Sequence, residues 1–256
     1  MSDVPPSAAL GVGADEYLAP DIPHGLPWRE VPIVEPDDPR VGAVALITDQ
    51  PETFEVPIVA WPTNGRRPLD PGTGTGGGTV QGTFGCTWDG AVLFGSNQAV
   101  DGRYVLGWST APESAGDAPP GRPDQVLLWH INYHPDGGQL FWSRAHQPFV
   151  VLAIPPGSDP DLDQAIAIRA PGDLGVCLLP NVWHDGVFPV DGDGTFVTRQ
   201  GAVHARLSCN LATEHGLLLR IPLGQRDRGG RRSDDSVSAR ERRGEGVQAA
   251  GQAVDV

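Results

Sequence analysis

The sequence predicts an all-β fold, a barrel or a sandwich carrying one short helix. Three observations predict it. Thirteen short apolar or alternating runs recur along the chain, Gly, Pro and Asp turns separate them, and helical periodicity is almost absent. The runs are residues 41–48, 56–60, 80–87, 91–96, 103–108, 125–134, 140–143, 149–154, 175–179, 186–190, 195–199, 205–210 and 217–221. Trp88-Asp89-Gly90 and Asp101-Gly102 read as hairpin turns, because Asp-Gly supplies the positive φ that a tight hairpin needs. Residues 161–168, which follow Pro160 and carry acids in their first turn, read as the helix. The stretch PGTGTGGG at 71–78 reads as a flexible loop; it has no following helix and no lysine, so it is no phosphate cradle.

Composition narrows the function classes. The 256 residues hold 32 acids against 18 basic side chains, all Arg, for a formal charge of −14. With no lysine there is no lysine Schiff base and no P-loop, and neither PLP nor a nucleotide cofactor is expected. The acidic excess argues against nucleic acid and against an anionic membrane surface as partners. No basic region followed by an apolar run opens the chain, and no stretch reaches the roughly 18 apolar residues of a membrane span, so a cytoplasmic location is expected. Cys86, Cys177 and Cys209 are odd in number and form no CxxC, which reads as buried thiols. Residues 1–27 form an acidic, Pro-rich extended arm. Residues 28–223 are the folded domain, and 224–256, with seven Arg among six acids and almost no large apolar residue, have the composition of a disordered tail.

Two segments carry polar chemistry. In Leu128-Trp129-His130-Ile131-Asn132-Tyr133-His134, strand alternation puts His130, Asn132 and His134 on one face, where three polar side chains are costly unless that face lines a polar cavity. A Pro-Asp-Gly-Gly turn then delivers Gln139 beside His134. About 45 residues on, Gly175-Val176-Cys177-Leu178-Leu179-Pro180-Asn181-Val182-Trp183-His184-Asp185-Gly186 ends a strand at Pro180 and turns His184 into the next one.

Asn132-x-His134-x4-Gln139 followed by Gly175-x4-Pro180-x3-His184 resembles the two cupin motifs. More narrowly, HPDGGQLF (134–141), PFVVLAIPPGSDPDLD (148–163), APGDLGV (170–176) and NVWHDGVF (181–188) are similar to the ureidoglycolate lyase family, well over residues 120–200 and weakly over 30–119. The resemblance implies a cupin-like antiparallel β-barrel (a double-stranded β-helix), a homodimer, and a lyase that splits a small hydroxy-acid ureide into a carbonyl product and urea. His134, Gln139, Trp183 and His184 match the family pattern. Asn132 stands where the family carries an acid, Leu178-Leu179-Pro180 replaces a Tyr-His-Arg-type stretch, Asp185 replaces a His, and Arg199-Gln200 stands where the family has an Asp-Arg pair. The scaffold is kept and the substrate set rebuilt, which implies a small-molecule substrate of altered structure.

The retained residues suit two mechanisms. In one, His134, Gln139, His184 and His130 hold a divalent metal ion (Zn, Mn, Ni or Fe) that polarises an α-hydroxy or α-keto acid. In the other, His134, His184 or Asp185 takes a hydroxyl proton, Gln139 bonds the developing oxyanion, and Arg144 or Arg199 holds the carboxylate, with Asn132, Phe141 and Trp183 as further substrate contacts. His204, Glu214 and His215 show no partner spacing and are given no role. A metal-dependent cupin oxygenase or isomerase, and a non-catalytic small-ligand-binding cupin, are the alternative readings.

Overall fold

The computed structural model describes residue 12 and residues 16–61, 67–100, 102–118 and 123–224. The expected tail, all of the arm before residue 16 except Val12, and Asp101 of one expected hairpin turn lie outside the described residues. Sixteen strands follow one another: β1 (Trp28–Glu30), β2 (Ile33–Val34), β3 (Ala45–Thr48), β4 (Thr79–Asp89), β5 (Val92–Asn97), β6 (Gly102–Trp108), β7 (Gln125–Leu128) and β8 (His130–Tyr133). Then come β9 (Gln139–Trp142), β10 (Phe149–Ala153), β11 (Ile166–Ala170), β12 (Gly175–Leu178), β13 (Phe188–Pro189), β14 (Gly194–Gly201), β15 (Leu207–Asn210) and β16 (Leu218–Pro222). The one α-helix among the described residues, α1, is a single turn, Leu211–Glu214, capped by the Asn210 side chain accepting from Thr213 N–H at 3.1 Å. None of the helices is long and apolar enough to cross a membrane.

The fold is all-β, as the turn spacing predicts. Strand pairing runs in three sheets: ten strands ordered β1-β16-β7-β6-β5-β4-β14-β9-β12-β3, four ordered β13-β10-β11-β2, and the pair β15-β8. Among the described residues these ladders do not close into one ring, so the cupin-like likeness stands at the level of β architecture. Among the described residues the largest hydrophobic cluster draws on both the ten-stranded and the four-stranded sheet, and two smaller clusters are separate from it. Phe149 meets Phe196 with ring centroids 5.4 Å apart and Phe84 meets Phe141 at 5.8 Å, and every residue of β10 is buried, which explains why 149–154 reads as an unbroken apolar run rather than an alternating one.

Three expectations are corrected. Residues 161–168 are not a helix: Leu162–Gln164 make one 3-10 turn and Ile166–Ala170 are strand β11. The acids marked a cap, since the Asp161 side chain accepts from Asp163 N–H, and β-branched Ile166 and Ile168, both buried, pair with Ala153 and Val151 of β10. Likewise the run 125–134 is two strands. The chain leaves the large sheet after β7 and enters the β15-β8 pair, and Trp129 makes the transfer: its carbonyl accepts from Leu211 and Ala212 N–H and its indole N–H donates to Val105 O at 2.7 Å. Residues 56–60 form no strand beyond an isolated bridge from Ile58 to Gly137.

The Pro-Asp-Gly-Gly turn owes its glycines to close approach, since neither has a positive φ. A Cβ on Gly138 would stand 2.5 Å from Leu178 O, and one on Gly137 would stand 2.8 Å from Ile58 Cδ1. Gly138→Ala should therefore lower stability by about 1–3 kcal/mol, read as a fall in the urea midpoint. In Gly85→Ala the new methyl meets nothing within 4 Å and should stay within about 0.5 kcal/mol of the parent. Equal midpoints for the two variants would contradict the packing.

Candidate functional site

Two of the chemistry-bearing segments are joined by backbone. Asn132 N–H donates to His184 O at 2.8 Å and His184 N–H donates to Asn132 O at 2.7 Å. Because strand residues alternate faces, Trp183 turns to the apolar side, its ring centroid 4.5 Å from that of Tyr133, while His184 turns to a cavity. The cavity has about 370 Å³ of empty space counted out to its mouth. His134, Gln139, His184 and Asn132 line it from the expected set, and Phe141 forms part of its wall.

The imidazoles meet there. The rings of His134 and His184 are 5.2 Å apart, and a third imidazole, His204, is 4.9 Å from His134. His134 Nδ1 is 3.0 Å from Ala205 O. A carbonyl only accepts, so Nδ1 carries the proton and Nε2 carries a lone pair, with no hydrogen-bond partner among the described residues. His184 Nδ1 is 2.7 Å from Val182 O and its Nε2 is 2.9 Å from Gln139 Oε1. A neutral imidazole has one N–H, so His184 donates to one of these two acceptors. The Gln139 NH2 donates to Thr198 Oγ1 at 3.1 Å and to Gln200 Oε1 at 3.0 Å. Gln139 is thereby a brace for His184 and has no donor left for an oxyanion.

Burial pushes all of these imidazoles down from their ordinary pKa, His184 to about 4 and His204 to about 3, with His134 also well below it because His204 and His184 crowd it. They are neutral bases at neutral pH. Arg206 enters the same cavity. Its Nε donates to Asp70 Oδ2 at 2.6 Å, and among the described residues its two Nη groups make no hydrogen bond. Asn132 presents a buried amide oxygen that lacks a partner.

Other expected residues lie elsewhere. His130 is on the same face as Asn132 but one layer deeper: Tyr104 lines the cavity and packs edge-on against His130 at 5.6 Å, and His130 does not reach it. Asp185 is with His130 rather than in the cavity, its Oδ2 3.5 Å from His130 Nδ1, both side chains fully buried. Burial drives Asp185 well up and His130 down to about 3, so the pair is an uncharged acid beside an uncharged base. The Tyr104 hydroxyl and Gly186 N–H favour the Asp185 carboxylate, but neither meets hydrogen-bond geometry and both carboxyl oxygens stay unpartnered. Arg144 is exposed. Arg199 is turned outward onto Gln81 and the carbonyls of Phe54 and Glu52, and the Trp183 indole donates to Gly157 O at 3.1 Å. The ligand set expected for a divalent ion does not assemble either. His130 is outside the cavity, His184 and Gln139 satisfy each other, and among the described residues no three His, Cys, Asp or Glu side chains converge.

The family likeness has a measured extent. A family model described as ureidoglycolate lyase matches residues 121–214. The chain resembles the ureidoglycolate lyases there. The match runs from β7 through α1, so it contains His134, Gln139, His184, His204 and Arg206, and it leaves out Tyr104 and Asp70. A comparison with curated proteins found no match.

Of the residues that line the cavity, sequence reasoning missed Arg206 and Tyr104 and gave His204 no role. Only the fold brings Arg206 and His204 into place. The β15-β8 register pairs Leu207 with Tyr133, which puts residue 206 level with His134. His204 also has φ 46°, a left-handed backbone that a non-glycine residue adopts at a cost.

These charges set the acid limit of the fold. Between pH 6.5 and about 4 the unfolded chain protonates the four histidines 130, 134, 184 and 204 while the native state does not, which lowers stability as pH falls. Asp185 acts oppositely, holding a native proton that the unfolded chain releases above about 4. Below pH 6 the four histidines outweigh Asp185, so stability falls as pH falls; above pH 7, where the unfolded imidazoles are already neutral, Asp185 makes stability decline gently as pH rises. Melting temperature should peak near neutral pH and drop below 6; a level curve from pH 7 to 5 would show that these imidazoles are not buried neutral.

Proposed function

We propose that the protein is a carbon–nitrogen lyase of ureidoglycolate lyase type, acting on a small α-hydroxy acid that bears a ureide or similar nitrogen group. One observation carries the reading: His134, whose Nε2 has no hydrogen-bond partner among the described residues, and Arg206, which spends only Nε on Asp70, line the same narrow cavity, within the segment that resembles the lyase family. Arg206 holds the substrate carboxylate through its fork. His134 Nε2 takes the proton of the α-hydroxyl. The O–H electrons form the C=O bond, the C–N bond breaks with its pair going to nitrogen, and the imidazolium of His134 returns the proton to that nitrogen. The products are an α-keto or aldehyde acid and the released amide, and the proton count closes without an added reagent. The Asn132 amide oxygen, a buried acceptor in want of a donor, receives a ureide N–H. His184 and Gln139 set the wall against which the substrate lies.

A product screen on ureidoglycolate and related hydroxy-acid ureides should release a carbonyl acid, detected as its hydrazone. His134→Gln, which keeps a polar side chain of similar reach, should lower kcat by about 10²–10⁴. Arg206→Leu should raise KM at least tenfold, since a charge-assisted pair is lost. Full turnover by His134→Gln would reject His134 as the base, and turnover of the uncharged amide as fast as the acid would reject the carboxylate reading.

A further inference from the structure

The segment before β1 is folded onto the wall of the site. Tyr17 is 6 % exposed. Its carbonyl accepts from Val105 N–H at 2.7 Å, and its ring stands edge-on to His130 at 5.0 Å and Tyr104 at 5.7 Å. The Arg206 guanidinium carbon lies 4.5 Å from the Tyr17 ring centroid. The Tyr17 hydroxyl donates toward Asp70 Oδ2 at 3.1 Å and lies 2.7 Å from Ser208 Oγ, while Ser208 Oγ donates to the same Oδ2 at 2.5 Å. Asp70 is itself buried, and its backbone N–H donates to Arg206 O at 2.8 Å.

Three donors thus converge on one carboxylate oxygen of Asp70, and only one of them belongs to Arg206. An arginine beside an otherwise bare buried carboxylate pairs with it through two parallel bonds and spends its fork there. Here Arg206 shares Oδ2 with the Tyr17 and Ser208 hydroxyls and pairs with Asp70 through Nε alone, and the Tyr17 ring, anchored by its own hydroxyl on that oxygen, holds the guanidinium plane by a cation–π contact. What is left over is the pair of Nη groups, on a residue that lines the cavity.

We propose that the N-terminal arm completes a carboxylate-binding subsite, with Tyr17 as the residue that positions Arg206 and keeps its fork free for a monocarboxylate. The inference rests on the reading of Arg206 given above and adds a part of the chain that lies outside the family likeness. It also predicts a selectivity: the arm matters for the charged end of a ligand and not for its hydroxyl end.

The test uses the full-length protein and a matched pair of probes, glycolate and its uncharged analogue glycolamide, with dissociation constants measured by calorimetry. Tyr17→Leu should weaken glycolate binding about tenfold and leave glycolamide within about twofold. Tyr17→Phe, which keeps the ring and loses the hydroxyl, should weaken glycolate several-fold and decides the question if Tyr17→Leu does not fold. Glycolate binding by Tyr17→Phe as tight as in the parent, or an equal loss for both probes, overturns the role of the arm. If the parent does not distinguish glycolate from glycolamide, or Arg206→Leu binds glycolate like the parent, the carboxylate reading of Arg206 falls and the role of the arm falls with it.

Discussion

The reciprocal pair of backbone hydrogen bonds between Asn132 and His184 is the constraint on which the site depends. A second reciprocal pair, between Ile154 and Trp183, lies directly beside it. Two consecutive residues therefore stitch the β15-β8 pair to the end of β10, and strand alternation assigns their side chains to opposite duties. Trp183 seals the apolar side, where it packs on Tyr133 and donates to Gly157 O. His184 faces the cavity. Because the stitching is made by main-chain groups, it tolerates change at the side chains it positions.

A chain of net charge −14 places a cation and several neutral bases in its cavity. That inversion follows from burial. An ionised carboxylate beside His130 in a fully buried layer would have to be desolvated with no hydrogen bond to offset the cost, so Asp185 keeps its proton. Arg206 cannot lose its proton in the same way, so its charge is met by Asp70, through one bond only. Asp70 holds Arg206 beside the Tyr17 and Ser208 hydroxyls, so the cation that lines the cavity is anchored from outside the segment that carries the imidazoles.

Much of this was legible in the sequence and some of it was not. Alternation in 128–134 and the turn before Gln139 placed Asn132, His134 and Gln139 together correctly, and the Pro180 turn brought His184 to them. Alternation fixes the face of a side chain but not its depth, which is why His130 was grouped with the cavity although Tyr104 covers it. Asp185 failed for a related reason: next to His184 in sequence, it necessarily points the other way. The helix expected at 161–168 shows how a local cap signal and a tertiary preference compete. Asp161 caps one turn, after which Ile166 and Ile168 are claimed by β10. Arg206 and His204 sit in a segment with no neighbouring polar spacing, and only the pairing of β15 with β8, which no local pattern encodes, brings them to His134.

The division between the segment that resembles the family and the contacts made from outside it has a physical explanation. Residues 121–214 supply the bases, the brace and the arginine, and they are held by strand pairing within that segment. What orients the arginine comes from outside it: Asp70 from a loop, Tyr104 from β6, and Tyr17 from the arm. Proton transfer needs atoms fixed within a few tenths of an ångström, which a paired strand provides. Recognition of the far end of a ligand needs only a charge at the right distance, which a loop and a packed tyrosine can supply and alter at little cost to the core. A scaffold divided in this way can change what lines and orients the cavity through Tyr17, Asp70 and Tyr104 while His134 stays where the end of β8 puts it.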